Sequence, residues 1–162
     1  MQVNEITVLD LASSELEFLH SFRKLILRSA ENIKSENMEE LMSVLQEKQT
    51  MISKYNVFLE EWNKIGLFLK IKDGYNNPDF LNLLFQIFPA DSSEKSRFSA
   101  KLESLVNQRK TLVEELIKIE DDAQEVLNDY VKRLRARISQ VSKGRDACKG
   151  YAAAGGASLF GR

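Results

Sequence analysis

Apolar residues recur along most of this chain in alternating steps of three and four, the spacing that keeps side chains on one face of an α-helix. Leu9, Ala12, Leu16, Leu19, Arg23, Ile26, Ala30 and Ile33 form the first such stripe, with Phe22 and Leu27 beside it. Ser35-Glu36-Asn37 interrupts it, and Asn37 followed by Glu40 has the spacing of an N-cap with its capping-box partner. Met38, Leu41, Leu45, Lys48, Ile52, Tyr55, Leu59, Trp62, Gly66 and Leu69 make a second stripe that holds one heptad register throughout, the pattern of coiled-coil packing. Trp62 in this repeat reads as a large buried anchor. Asp73-Gly74 and Pro78 stop the helix, because Gly tolerates left-handed geometry and Pro biases its predecessor away from helix.

The short run Phe80, Leu81, Leu83, Leu84, Phe85, Ile87 and Phe88 ends at Pro89. Periodicity alone fits either a buried helix or a strand over this length. With helices on both sides and no strand to pair with, a helix plugging the end of the bundle is expected. Asp91-Ser92-Ser93-Glu94 then supplies capping residues and early negative charge. Phe98, Leu102, Leu105, Arg109, Leu112, Leu116, Ile119, Ala123, Val126 and Tyr130 continue the repeat, and Val131, Leu134, Ile138 and Val141 extend it, shifted by one residue.

The predicted fold is all-α: an elongated antiparallel helical bundle or coiled coil with one very long C-terminal helix. Helices are expected at about 8–34, 37–72, 78–88 and 91–142, forming one bundle over residues 1–142. Gly, Ala and Ser dominate residues 143–162, which read as a flexible tail in which only Tyr151, Leu159 and Phe160 could anchor. A last helix of roughly 50 residues spans ~75 Å, far beyond the ~15 Å radius of gyration of a compact domain this size. If it pairs antiparallel with the helix ending near Lys72, Asn37 falls opposite residue 127 or so. Tyr130, Val131, Leu134, Ile138 and Val141 then lie beyond the cover of the other helices, and an exposed apolar stripe usually awaits a partner.

Composition narrows the chemistry. The first 143 of the 162 residues hold two of the seven glycines and both prolines, too few for the turns of a β-sandwich. A single Cys and a single His disfavour a disulfide framework, a cysteine-rich metal centre and a His-based triad. No apolar run reaches the length of a membrane span, and Met1–Asp10 lacks the features of a signal peptide, so a cytoplasmic protein without stable membrane insertion is expected. Net charge is −1, yet residues 1–130 carry 15 Lys/Arg against 23 Asp/Glu, while residues 131–162 carry eight against Asp146 alone. Such a divided field bears on partners rather than on fold.

His20, with Arg23 and Lys24 one turn on, has the look of a phosphotransfer histidine, but bulky Phe22 and Lys24 leave little room for a partner's active site; a polar residue bordering the stripe is the favoured reading. Cys148 lies beside Arg145 and Lys149, which favour a thiolate, but no base is at hand to activate it for catalysis. Paired carboxylates such as Glu60-Glu61 and Glu114-Glu115 suit solvated helix faces, and no Gly-rich loop precedes a helix in a phosphate-binding arrangement. No enzyme activity, metal or cofactor is therefore expected. The basic stretch Lys132 to Lys149 admits three readings: neutralisation of a helix dipole, nucleic-acid binding, or docking to an acidic surface or amphipathic helix. With one aromatic, Tyr151, and no nucleic-acid motif, nucleic acid is the least favoured.

Two features resemble the FlgN/FliT-type flagellar export chaperones: Met38-Glu39-Glu40-Leu41 leading to Leu45-Gln46-Glu47-Lys48-Gln49, and the long amphipathic helix followed by Lys143-Gly144-Arg145, Ala147 and Lys149-Gly150-Tyr151. The resemblance implies a chaperone without ATPase activity that binds the terminal helical segment of hook-associated flagellar proteins. It implies delivery of that client to the cytoplasmic domain of the export gate. By position, Tyr130, Val131, Leu134, Ile138 and Val141 would hold the client and Tyr151 would serve in docking to the gate. The alternative is a structural coiled-coil adaptor that self-associates through its C-terminal helix, and a homodimer fits either reading.

Overall fold

The computed structural model describes residues 3–87 and 92–159. All regular structure among them is helical: α1 (Glu5–Lys34), α2 (Met38–Phe68), a 3-10 turn (Gly74–Asn76), α3 (Phe80–Ile87) and α4 (Ser92–Leu159). The fold is an all-α helical bundle of long, mutually packed helices. By compactness the chain divides into two units, Met1–Asp121 and Asp122–Arg162.

Within the first unit, the helix boundaries follow from local chemistry. Asn4 caps α1 by accepting a hydrogen bond from the Thr7 amide at 2.9 Å. Asn37 caps α2 by accepting from the Glu40 amide at 3.2 Å, at the position where the capping box was expected. Both helices end in Schellman motifs built on non-glycine residues. Glu36 and Lys70 take left-handed φ values of 56° and 57°. The Asn37 and Ile71 amides reach back to the carbonyls of Asn32 and Gly66, each at 2.9 Å. This closure ends α2 at Phe68, short of the expected residue 72. Gly74 and Asp73, both at positive φ, carry the turn that the Asp-Gly pair announced. Gly66 sits so close to this turn that a Cβ on it would lie 2.5 Å from the Gly74 Cα.

The run after Pro78 is a helix, α3 (Phe80–Ile87). Phe88, Pro89 and the expected cap Asp91 lie outside the described residues, as does Phe160. α4 runs to Leu159 and so corrects the expectation of a tail beginning at residue 143. Each glycine costs a helix only about 1 kcal/mol relative to alanine, and Ala152, Ala153 and Ala154 belong to the residue type with the highest helix propensity.

Cross-helix pairs set the topology of the first unit. Glu15 with Arg109 and Arg23 with Glu115 run α1 parallel to α4, while Tyr55 with Arg109 and Lys48 with Glu120 run α2 antiparallel to it. Two apolar clusters form the core. One gathers Val8, Ala12, Trp62, Ile65, Ile71, Phe80, Leu84, Phe98 and Leu102, so α3 plugs this end as expected. The other joins Leu16, Leu19 and Ile26 to Leu112 and Leu116. Most of the first predicted stripe is buried, but in the second Leu45 and Ile52 are exposed although they continue the heptad register.

Candidate functional site

Two surfaces qualify, one on each unit. In the second unit, Val131, Leu134, Ile138 and Val141 project from α4 at three- and four-residue spacing, which sets them along one face. Leu134 is 41% exposed, Ile138 61% and Val141 63%, whereas Tyr130 and Val131 are partly covered. The guanidinium of Arg133 lies over the Tyr130 ring, 5.9 Å from its centroid. Lys132, Arg135, Arg137, Lys143, Arg145 and Lys149 are all exposed along the same stretch of helix. Tyr151 is further along α4, helical and 81% exposed, ten residues past Val141. The expected client-binding residues thus share one helical stripe, and Tyr151 lies apart from it.

The second surface was not foreseen. Where Ile52 stands exposed, α1, α2 and α4 leave an open groove of about 470 Å³, walled by Phe18, Phe22, Met51, Ile52, Val113 and Ile117. Phe18 packs against Phe58 at 5.3 Å and Tyr55 at 5.9 Å between ring centroids, giving the groove an aromatic floor. Polar pairs close it at both ends. At one end the Lys48 ammonium is bound by the Glu120 carboxylate, with exposed Asp121 beside it.

At the other end is a buried ionic cluster. Glu15 is only 1% exposed, and its carboxylate accepts from the Tyr55 hydroxyl at 2.6 Å, Trp62 Nε1 at 2.9 Å and Arg109 Nε at 2.8 Å. Arg109 also donates to the Tyr55 oxygen at 3.0 Å and stacks over the Tyr75 ring. Burial, then the hydrogen bond and charge of Glu15, push the Tyr55 phenol up to about 12. Burial disfavours the Arg109 cation, but the hydrogen bond and charge of Glu15 outweigh it and hold the guanidinium above its ordinary value. Every polar atom of this cluster that the carboxylate faces is thereby satisfied, the condition for a charge to stay buried. Sequence reasoning saw Arg109 as the one polar member of its stripe but passed over Glu15. Glu15 lies one residue off the first stripe, beside Leu16, so the spacing gave no signal of its burial.

The remaining candidates sit apart from these surfaces. His20 is exposed on α1, and Arg23, one turn on, is held by the Glu115 carboxylate rather than open to a phosphoryl group. The hydrogen bond from Arg23 keeps the Glu115 carboxyl below the usual carboxylate range. Cys148 is an exposed free thiol on α4. Among the described residues no group of three His, Cys, Asp or Glu is placed to hold a metal ion, and no helix is long and apolar enough to cross a membrane. Comparison of the chain with models of known protein families, with curated proteins and with solved structures finds no match.

Proposed function

We propose that this chain is a cytoplasmic export chaperone of the FlgN/FliT type. It binds the terminal helical segment of hook-associated flagellar subunits along Tyr130, Val131, Leu134, Ile138 and Val141 and hands the client to the cytoplasmic domain of the export gate. The observation that carries the reading is the exposed aliphatic stripe on a helix lined with cations. An amphipathic client helix would lay its apolar face on such a stripe and its acidic flanks against the Lys and Arg heads. Burying each aliphatic side chain contributes about 1.5–3 kcal/mol before ordering costs, which suits reversible capture. No catalytic step and no cofactor enters this function.

The test uses labelled synthetic peptides copying the terminal helices of hook-associated subunits from the same genome. Anisotropy should report a Kd of about 1–10 µM for the intact chain. The Leu134→Asp, Ile138→Asp double variant should weaken binding by about 50-fold or more, because each substitution sets a charge on the contact face. Its helical circular dichroism should be unchanged, since both positions are exposed. Full-strength binding by the double variant would remove the site. Tyr151→Ala should keep the peptide and lose affinity for the export-gate domain alone.

A further inference from the structure

The groove lined by Phe18, Met51 and Val113 lies wholly within the first unit and takes no part in the client site proposed on the second. Its volume of about 470 Å³ is that of a small-molecule site, and its lining is apolar and aromatic, as such sites require. Its two polar ends are marked on α2 by Lys48 and Tyr55, two helical turns apart, so about 10 Å separates them. One aromatic ring with a short alkyl chain spans that distance. The stacked rings of Phe18 and Tyr55 offer such a ring a matching surface.

The charges around the groove select the sign of its ligand. Lys48 is held by Glu120 and Arg109 by Glu15, so a carboxylate already neutralises each cation of the lining. An anion could reach either cation only by displacing that carboxylate, and displacing Glu15 would leave a buried charge unpaired. Asp121 is different. It lines the Lys48 end of the groove, is exposed, and pairs with no cation among the described residues. We infer that the groove binds a small lipophilic cation, an aryl-alkyl ammonium whose body lies on Phe18 and Phe22 between Met51 and Val113 and whose head meets Asp121. Burial of the body supplies the affinity, because an exposed ion pair alone contributes little; Asp121 supplies the preference for positive charge.

The test is titration calorimetry of the full chain with phenylbutylammonium, phenylbutanol and phenylbutanoate, probes that share one body and differ in head charge. In about 50 mM salt the amine should bind with a Kd of about 100 µM, about fivefold more tightly than the alcohol. The carboxylate should bind more weakly than the alcohol. Asp121→Asn should bring the amine to the level of the alcohol and leave the alcohol unchanged. Val113→Phe, which fills the groove from its wall, should abolish binding of all the probes while circular dichroism verifies the fold. In the parent chain the amine should shift the Met51 methyl resonance. No binding, binding that leaves the Met51 methyl unmoved, or binding that survives in folded Val113→Phe overturns the site. Equal affinity for the probes, or preference for the carboxylate, overturns the cation. A Met51 shift driven by chain concentration alone would give the groove to a second copy, and displacement of the amine by the client peptides would give it to a helix. Either outcome overturns the ligand. The Leu134→Asp, Ile138→Asp variant should bind the amine like the parent, so this site and the client stripe stand or fall separately.

Discussion

At the scale of single residues, Glu15 is the position on which most depends. Three donors from two other helices, Tyr55 and Trp62 on α2 and Arg109 on α4, converge on its carboxylate. Glu15→Ala leaves the Trp62 indole N–H and the Arg109 guanidinium without their acceptor, at a cost of about 3 kcal/mol. Arg109 is one-third exposed, so solvent offsets part of its share. Equilibrium unfolding in urea, followed by circular dichroism, measures the loss; a change under about 1 kcal/mol would show that the cluster contributes geometry rather than stability. The same cluster makes stability depend on alkaline pH. Burial chiefly, and Glu15 next, raise the Tyr55 phenol from 10.0 to about 12 in the folded chain. A phenol that ionises later in the folded than in the unfolded chain contributes stability that is whole below about pH 10 and is lost as pH rises through about 12. Urea midpoints across that window should fall for the parent and fall less steeply for Tyr55→Phe. Some slope remains in that variant, because burial raises the Tyr75 phenol too.

At the scale of elements, one substitution has opposite effects at different glycines. Gly66→Ala drives a methyl group into the Gly74 backbone, which yields only if the turn after α2 moves, so a loss of about 2–3 kcal/mol is expected. At Gly144 and Gly150 nothing lies within 4 Å of a new Cβ. Alanine there should raise local helix stability by about 0.5–1 kcal/mol each, read as added helical circular dichroism with the main urea midpoint unchanged. These contrasts also explain what the chain discloses in advance. The existence and order of the helices were legible because their apolar faces repeat over many turns, and the Asn37 cap because its chemistry is local. The end of α2 was not, since its left-handed position is held by Lys70 where glycine is the usual signal. The extension of α4 was not, since a run of Ala and Gly reads as linker by composition although Ala favours helix. The groove was hidden for a different reason. Ile52 keeps the heptad register, and only the splay of three helices decides that it remains uncovered.

At the scale of the whole molecule, the two units differ in what holds them together. The first has two apolar clusters and a buried ionic pair. In the second, among its described residues, Ala123 alone is buried. The exposure of this stripe was legible in the sequence: Val131, Leu134, Ile138 and Val141 repeat with helical spacing but fall one residue out of step with the core-facing series before them. A helix without a packed face is held by its own hydrogen bonds and propensity, which in water confer marginal stability. Hydrogen exchange should therefore separate the two units sharply. Amides of residues 134–150 should exchange at least about 10³-fold faster than those of Leu16–Ile26, whose opening requires breaking the core. A saturating client peptide should slow exchange across residues 131–141 and leave the Leu16–Ile26 rates unchanged, because ordering is added where contact is made. Equal protection of both segments in the dilute, unliganded chain would mean that the stripe is already covered, and a covered stripe has no free energy of burial left to offer a partner.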